Sequence, residues 1–356
     1  MELNQQPKLP KNPLPIVIIG AGGIVKDAHL PAYTLANFKV IGIYDKVKSK
    51  AKALKDEFDI IEKVHETLED LIIDAIKYKA VFDLALPANL HVKILEQLPD
   101  GAAVLMQKPM GENLEDAKQI LEICNRKKLI SAVNFQLRYA PYIIAAREMI
   151  DKGLIGEIYD MELKVCVYTP WHLWVFLFEL PRVEILYHSV HYLDLIRSFL
   201  GNPKKIYAST IKHPKMRDLA STRSTIILDY NEFTQARITT NHGHDFGLEK
   251  QQSYFKIEGT NGVILIRIGL SMDYPKGVPA KFEYQLLDNE SKDWKEIKIN
   301  GGWFPEAFIG TMAGLQNHVL DKNIPLLHST EDAFDTMKLV EKAYQSSEKG
   351  GVLFKD

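Results

Sequence analysis

Five short apolar segments alternate with helix-like patterns in the first 135 residues, and this alternation constrains the fold more than any other feature of the sequence. The apolar segments occupy residues 15–20, 39–45, 80–86, 102–106 and 129–135. The stretches between them, such as 48–58, 89–98 and 113–128, have the apolar spacing of helices. Buried strands connected by helices are typical of a parallel sheet, so we predict a doubly wound α/β domain.

The pattern changes after about residue 155, where apolar and polar residues alternate with a period of two. The alternating stretches are residues 157–168, 204–210, 224–230, 234–240, 253–259 and 262–268. Such alternation favours strands with one covered face, and the Asn261-Gly262 pair is typical of a tight hairpin. Helical patterns over 305–321 and 329–348 close the chain, so we expect a large, open, mostly antiparallel sheet accompanied by helices.

These two patterns predict two domains. We expect a Rossmann dinucleotide-binding domain over residues 1–135 and a substrate-binding and oligomerisation domain over residues 136–356. In this prediction, packing of the C-terminal helices on the first domain is left open.

Composition excludes several other classes of protein. A net charge of −2 and 25% charged residues give no general attraction to nucleic acid or to an anionic membrane. No apolar run approaches the roughly 18 residues of a membrane span, and the N-terminal segment lacks the apolar stretch of a secretory signal. The two cysteines, Cys124 and Cys166, lie far apart, which favours reduced thiols and a cytoplasmic location.

A glycine turn follows the first predicted strand and precedes a helix. Gly20-x-Gly22-x-x-Val25 has the context of a dinucleotide fingerprint, although Val25 stands at the third glycine position. We therefore predict that Gly20, Gly22, Gly23 and Ile24 bind the cofactor pyrophosphate. A tight turn without a ligand is the alternative.

Asp45 ends the second predicted strand, about 25 residues after Gly20. An acid at this place accepts hydrogen bonds from the adenosine ribose and disfavours a 2′-phosphate, so NAD is predicted. Lys46 partly offsets that charge, which leaves NADP possible. An ordinary turn aspartate is the alternative.

Polar residues and prolines also follow the third and fourth strands, whose carboxyl ends meet at the ligand-binding edge of such a sheet. Pro87, Asn89 and His91 are predicted to lie near the nicotinamide half of the cofactor. Lys108 follows the fourth strand and precedes Pro109, which biases its backbone toward extended geometry. Burial beside a positively charged nicotinamide lowers the pKa of a lysine, so Lys108 is a candidate for hydrogen bonding to a substrate hydroxyl. A snorkelling surface lysine is the alternative.

A polar stripe runs along the apolar helix predicted over residues 184–200. Its members, separated by three- and four-residue steps, are Glu184, Tyr187, His188, His191 and Asp194. Three interpretations remain open: His191 as general acid or base, with the others orienting it or binding substrate; a metal site of His188, His191 and an acid; or buried histidines bonded to neighbouring side chains. Trp174, in the aromatic segment before this helix, is a candidate wall for a sugar, with packing as its alternative.

Four motifs resemble the Gfo/Idh/MocA oxidoreductases over nearly the whole chain. Gln107-Lys108-Pro109 resembles the family's Glu-Lys-Pro, and the segment with Asn134, Arg138 and Pro141 resembles its Asn-x-x-x-Arg-x-x-Pro. The third motif is the family's His-x-x-Asp helix, matched by His191 and Asp194, and the fourth is its final helix. Gln107 departs from the family's glutamate, and Tyr187 stands where an aspartate is frequent.

The resemblance implies a nicotinamide cofactor, no metal, sugar or cyclitol substrates, and homo-dimers or homo-tetramers formed through the C-terminal sheet. Lys108 and His191 are then the catalytic residues, Arg138 binds substrate, and Gln107 and Asn134 help to hold the cofactor end of the site.

The predicted activity is NAD(P)-dependent hydride transfer to or from a secondary hydroxyl or ketone of a sugar, sugar derivative or cyclitol. The alternative is an NAD-retaining glycosidase or epimerase that acts through a transient 3-keto sugar, and a third hypothesis is a non-catalytic sensor of dinucleotide and sugar.

Overall fold

The computed structural model describes residues 1–287 and 292–353. Residues 288–291 and 354–356, which the predicted second domain includes, lie outside the described residues. The chain forms two compact units. The first consists of residues 6–140 and 303–337, and the second of residues 1–5, 141–302 and the chain from Lys338 onward.

The first unit contains a five-stranded parallel sheet in the order β2-β1-β3-β4-β5. Its strands are β1 (Ile16–Ile19), β2 (Val40–Tyr44), β3 (Val81–Leu84), β4 (Ala103–Met106) and β5 (Ile130–Val133). Each lies inside one of the five predicted segments. All four residues of β1, β3 and β4 are buried, as expected when helices cover both faces of a sheet.

The helices follow the predicted alternation. They are α1 (Leu30–Leu35), α2 (Lys48–Glu57), α3 (Leu68–Tyr78), α4 (His91–Leu95), α5 (Leu114–Arg126), α6 (Pro141–Asp151), α7 (Val190–Leu200), α8 (Glu306–Leu320) and α9 (Thr330–Lys349). A π-helical turn, Val25–His29, precedes α1, and another, Glu184–Ser189, precedes α7.

The strand order places the topological switch point between β1 and β3, because the chain leaves β1 toward β2 on one side and the later strands lie on the other. Beyond β2, residues 61–64 add two isolated parallel bridges, Val40 to Ile61 and Ile43 to Val64. This short pairing occupies the place of a third strand in the 3-2-1-4-5 arrangement of dinucleotide-binding folds.

Helix α8 belongs to the first unit and contacts α1, β4 and β5. Its buried Phe308, Met312 and Leu315 join the core cluster that includes Ile16 and Ile18 of β1. Residues from the far end of the chain therefore complete this core.

The second unit contains an eight-stranded sheet in the order β13-β12-β11-β10-β6-β9-β8-β7. Its strands are β6 (Ile158–Cys166), β7 (Lys205–Ile211), β8 (Arg223–Asp229), β9 (Gln235–Asn241), β10 (Gln252–Gly259), β11 (Gly262–Arg267), β12 (Lys281–Leu286) and β13 (Lys295–Ile297). All neighbours are antiparallel except β6 and β9. The predicted fold class is thus confirmed, including the hairpin of β10 and β11 at Asn261-Gly262.

Along the described residues, none of the helices has the length and apolar character needed to cross a membrane.

Candidate functional site

The turn after β1 requires glycine at one position and leaves space at the next. Gly20 has a φ of +109°, and a Cβ there would lie 2.4 Å from the carbonyl oxygen of Ala85. At Gly22 a Cβ would meet no atom within 4 Å. The turn is therefore pressed against the end of β3 on one side and open on the other. Gly23 and the half-buried Ile24 follow, and the π-helical turn begins at Val25. This open side is where the backbone amides could receive a pyrophosphate.

Asp45 connects the end of β2 to the glycine turn. Its carboxylate accepts hydrogen bonds from the backbone N–H of Ala21 and of Val47, both at 2.7 Å. The side chain is half-buried. Each carboxylate oxygen has a second lone pair, so Asp45 keeps the capacity to accept hydrogen bonds from a ribose.

The three residues after β3 that were predicted to lie near the cofactor differ in their exposure to solvent. Pro87 and Asn89 are exposed. His91 is fully buried, with Nε2 3.2 Å from the carbonyl oxygen of Leu86, and burial lowers its pKa to about 4. His91 is therefore neutral near pH 7, and its contact with Leu86 stabilises the turn that follows β3.

Lys108 directly follows Gln107 at the end of β4, and its peptide bond to Pro109 is cis. Its side chain is half-buried, and burial lowers its pKa from 10.5 to about 8. An amine with this pKa exchanges its proton near neutral pH, which suits a group that assists proton transfer.

A buried polar network lies behind the ends of β3, β4 and β5. The His29 Nδ1 is 2.6 Å from Asp83 Oδ2, and the Tyr33 hydroxyl donates to the same carboxylate oxygen at 2.8 Å. The other ring nitrogen of His29 lies 3.3 Å from Gln107 Oε1. His29, which sequence reasoning missed, thus connects the first helical segment to β3 and β4. No motif marks it; only a histidine inside an apolar helix start could have drawn attention.

Gln107 and Asn134 belong to this network rather than to an exposed surface. Asn134 Nδ2 donates to Gln107 Oε1 at 3.0 Å, and Thr311 of α8 donates to Asn134 Oδ1 at 2.7 Å. Both amides are buried. The geometry therefore gives them a positioning role for the backbone next to Lys108, while direct contact with the cofactor stays a prediction.

Arg138 is held by the start of α9. It is 7% exposed, its Nη2 donates to Asp332 Oδ2 at 2.6 Å, and its Nη1 donates to the carbonyl oxygen of Leu327. Substrate binding by Arg138 stays a prediction; the contacts described here orient the segment before α9.

In the second unit, the predicted polar stripe is divided by the π-helical turn before α7. The two ends of this turn are also joined by a side-chain hydrogen bond, in which Ser189 Oγ donates to Glu184 Oε1 at 2.6 Å. His191 and Asp194 are buried on α7, whereas Tyr187 and His188 are half-buried. The stripe therefore does not continue at regular α-helical spacing across Ser189.

Two aromatic residues singled out from the sequence lie beside a small apolar cluster of the second unit. Trp174 is half-buried, with its ring 6.4 Å from that of Trp171 and 5.3 Å from that of Tyr274. The ring of Tyr187 lies 5.8 Å from that of Phe176. These contacts give both residues packing partners, and sugar binding by them stays a prediction.

His242 is the first residue after β9, at the start of a loop. Its side chain is fully buried, with Nδ1 2.8 Å from Thr169 Oγ1 and Nε2 3.4 Å from Glu184 Oε1. The loop folds inward because these two polar partners lie on neighbouring segments of the second unit.

Two family models match most of the chain. Residues 14–135 match the model described as an oxidoreductase family with an NAD-binding Rossmann fold. Residues 143–265 match the model of the GFO/IDH/MocA C-terminal domain.

Individual proteins show the same likeness. A D-apiose dehydrogenase of Rhizobium rhizogenes is 24% identical over 87% of this chain and 88% of its own length. An uncharacterised protein of Saccharomyces cerevisiae is 27% identical over 74% of this chain and 76% of its own. Among solved structures, an Agrobacterium radiobacter oxidoreductase in complex with NAD+, L-tartaric acid and magnesium superimposes with a TM-score of 0.77, at 22% identity over 96% of this chain and 98% of its own. This last likeness shows the fold.

Proposed function

Because the chain belongs to the GFO/IDH/MocA oxidoreductase family, we propose that it transfers a hydride between NAD and a secondary hydroxyl or ketone of a sugar, a sugar derivative or a cyclitol. Membership in the family confirms the predicted oxidoreductase class and the NAD-binding Rossmann domain. The sugar substrate is supported by the similarity to a D-apiose dehydrogenase over most of both chains.

The observation that carries this proposal is Lys108. It stands at the carboxyl end of β4, on the same edge of the parallel sheet as the glycine turn after β1. Its pKa is lowered to about 8, so both the ammonium and the neutral amine form of Lys108 are populated near neutral pH. A dinucleotide at this edge would bring the nicotinamide half toward the later strands.

The residues of the first unit fit a dinucleotide. The open side of Gly22 leaves room for a pyrophosphate next to backbone amides, and Asp45 has free lone pairs for a ribose. When bound, the cofactor supplies the hydride acceptor or donor.

In the proposed reaction Lys108 holds the reacting oxygen of the substrate. During ketone reduction its ammonium group donates a hydrogen bond and stabilises the negative charge that develops on that oxygen. During alcohol oxidation the hydride goes to NAD+, and the neutral amine of Lys108 accepts the proton of the substrate hydroxyl. Proton transfer by His191, substrate binding by Arg138, and association through the eight-stranded sheet stay predictions.

A substrate screen tests the proposed function. Purified protein is incubated with NAD+ and one candidate substrate at a time, drawn from sugars, sugar acids and inositols. The absorbance of reduced nicotinamide is followed. We expect at least one polyol to reduce NAD+, and we expect Lys108→Ala and His191→Ala to lower the rate. Equal rates in wild type and both variants would show that the assigned roles are wrong. Consumption of a glycoside without net reduction would instead support the redox-cycling alternative.

Cofactor preference follows from Asp45. We expect the wild type to bind NAD+ at least about tenfold more tightly than NADP+, because the carboxylate repels a 2′-phosphate. Asp45→Asn removes the charge and keeps an acceptor for one of the two backbone N–H groups, so the preference for NAD+ should fall. Dissociation constants for both dinucleotides measure this effect, with the exposed Asp59→Asn as the matched control. An unchanged ratio in Asp45→Asn would contradict the placement of the ribose.

A further inference from the structure

Three metal-ligating side chains converge in the second unit, beside the aromatic segment. Among the described residues, Glu184, His188 and His242 each offer one donor atom, and these atoms lie within 4.8 Å of one another. Glu184 and His242 are fully buried and His188 is half-buried. Two imidazoles and one carboxylate form a donor set typical of zinc and related divalent metals.

The separation of the donor atoms suits a small divalent ion. Glu184 Oε1 and His242 Nε2 lie 3.4 Å apart. Metal–ligand bonds of about 2.05 Å at tetrahedral angles separate two donor atoms by about 3.4 Å. All three donor atoms lie within 4.8 Å of one another, so no separation exceeds the tetrahedral value by more than about 1.4 Å.

The buried carboxylate of Glu184 has one oxygen that accepts no hydrogen bond from any described residue. Its Oε1 accepts from Ser189, whereas its Oε2 makes no hydrogen bond within the part of the chain that the structure describes. A buried carboxylate oxygen without a hydrogen-bond partner is costly, and a bound cation would satisfy it.

A hydrogen bond to Thr169 orients the ring of His242. Its Nδ1 lies 2.8 Å from Thr169 Oγ1, so the ring is fixed with Nε2 directed at Glu184. The Trp171 ring packs edge-on against it at 5.2 Å between centroids, and the His188 ring lies at 4.1 Å. A second hydrogen bond of this kind commonly fixes the orientation of a metal-binding histidine.

We propose that Glu184, His188 and His242 bind a divalent transition-metal ion of the zinc type, with an oxygen ligand, from water or a substrate, in the fourth position. Three protein ligands with a fourth exchangeable position is the arrangement of reactive rather than purely structural zinc sites. The ion would lie at the π-helical turn that precedes α7. His188 belongs to this turn, and His191 follows three residues later, on α7. This site differs from the one considered from the sequence, since His242 takes the place of His191.

Direct metal binding tests the proposal without reference to activity. Untagged protein is dialysed against EDTA, then against metal-free buffer, and titrated calorimetrically with zinc sulfate. We expect one ion per chain, with a Kd below about 1 µM, and a rise in Tm of about 5 °C in excess zinc. Cobalt chloride should produce visible d–d absorption bands at the same stoichiometry. Absence of saturable one-to-one binding would overturn the proposal.

Variants locate the ion. Glu184→Gln and His242→Ala should weaken zinc binding at least about 100-fold and abolish the cobalt bands, because each removes one of three ligands. His172→Ala is the matched control, since His172 is an exposed histidine of the same unit, and it should bind zinc as the wild type does. If either buried variant fails to fold, His188→Ala carries the same expectation at a half-buried position. Wild-type zinc affinity in folded His188→Ala, or loss of binding in His172→Ala, would place the ion elsewhere and refute the assignment.

Discussion

Lys108→Met is expected to lower kcat by about 10²- to 10⁴-fold while making the folded protein more stable at pH 7. The loss of activity follows if Lys108 holds the reacting oxygen, as proposed above. The gain in stability follows from the half-buried amine, whose pKa is lowered by burial to about 8. Methionine has a similar length and no charge to desolvate, so we expect a gain of about 1–3 kcal/mol in the free energy of unfolding.

The pH dependence of that gain has a definite sign. Below pH 8 Lys108 is protonated in both the folded and the unfolded protein, so the cost of burying its charge is fully present. Between pH 8 and about 10.5 the folded protein binds fewer protons than the unfolded chain, so the stability of the wild type rises with pH. The advantage of Lys108→Met should therefore shrink across this window, which denaturant unfolding at several pH values measures.

Lys108→Arg is the matched control for catalysis. Arginine keeps the positive charge and the hydrogen-bond donors but does not deprotonate in this range. For ketone reduction by the wild type, we expect kcat/KM to fall above about pH 8, as the ammonium form is lost. In Lys108→Arg this fall should disappear even if the rate itself is reduced. A fall that persists unchanged would assign the titration to another group.

Gly20→Val and Gly22→Val are expected to fail in different ways. At Gly20 a side chain would collide with the carbonyl oxygen of Ala85 and would require a φ of +109°, so we expect loss of about 3 kcal/mol or more of stability. At Gly22 a Cβ would have no atom within 4 Å, so the melting temperature should hardly change. The same side chain would occupy the space of the pyrophosphate, and the Kd for NAD+ should rise at least about 100-fold, or about 2.7 kcal/mol.

Each variant serves as the control for the other. Thermal unfolding and calorimetric titration with NAD+ are measured on both proteins. A Gly22→Val protein that folds and binds NAD+ as tightly as the wild type would show that the dinucleotide does not lie on this turn. A Gly20→Val protein with wild-type stability would contradict the close approach to β3.

Local patterns were enough to predict the sheets and the glycine turn. Each of β1 to β5 lies within a predicted apolar segment, because a strand covered on both faces is mostly apolar. Gly20 and Asp45 could be named because each directly follows such a strand, and Lys108 because it is the second residue after one; strand ends meet at one edge of a parallel sheet. Strands β12 and β13 were missed: β13 has only three residues, whereas β12 does alternate polar and apolar residues and could have been predicted.

The surroundings of these residues depend on partners far away in the chain. Gln107 and Asn134 were predicted to face the cofactor, but their amides bond to each other and, through Thr311, to a helix some 177 residues further on. No local pattern reports a contact over that distance.

The sequence by itself determined the two kinds of sheet, the glycine turn, and the lysine at the end of β4, because each is encoded in neighbouring residues. Only the tertiary structure decided that α8 completes the first core, that Ser189 rather than an α-helical neighbour bonds Glu184, and that His242 turns inward. The physical reason is that a buried polar group must find a partner, and that partner is selected by packing between distant segments rather than by spacing along the chain.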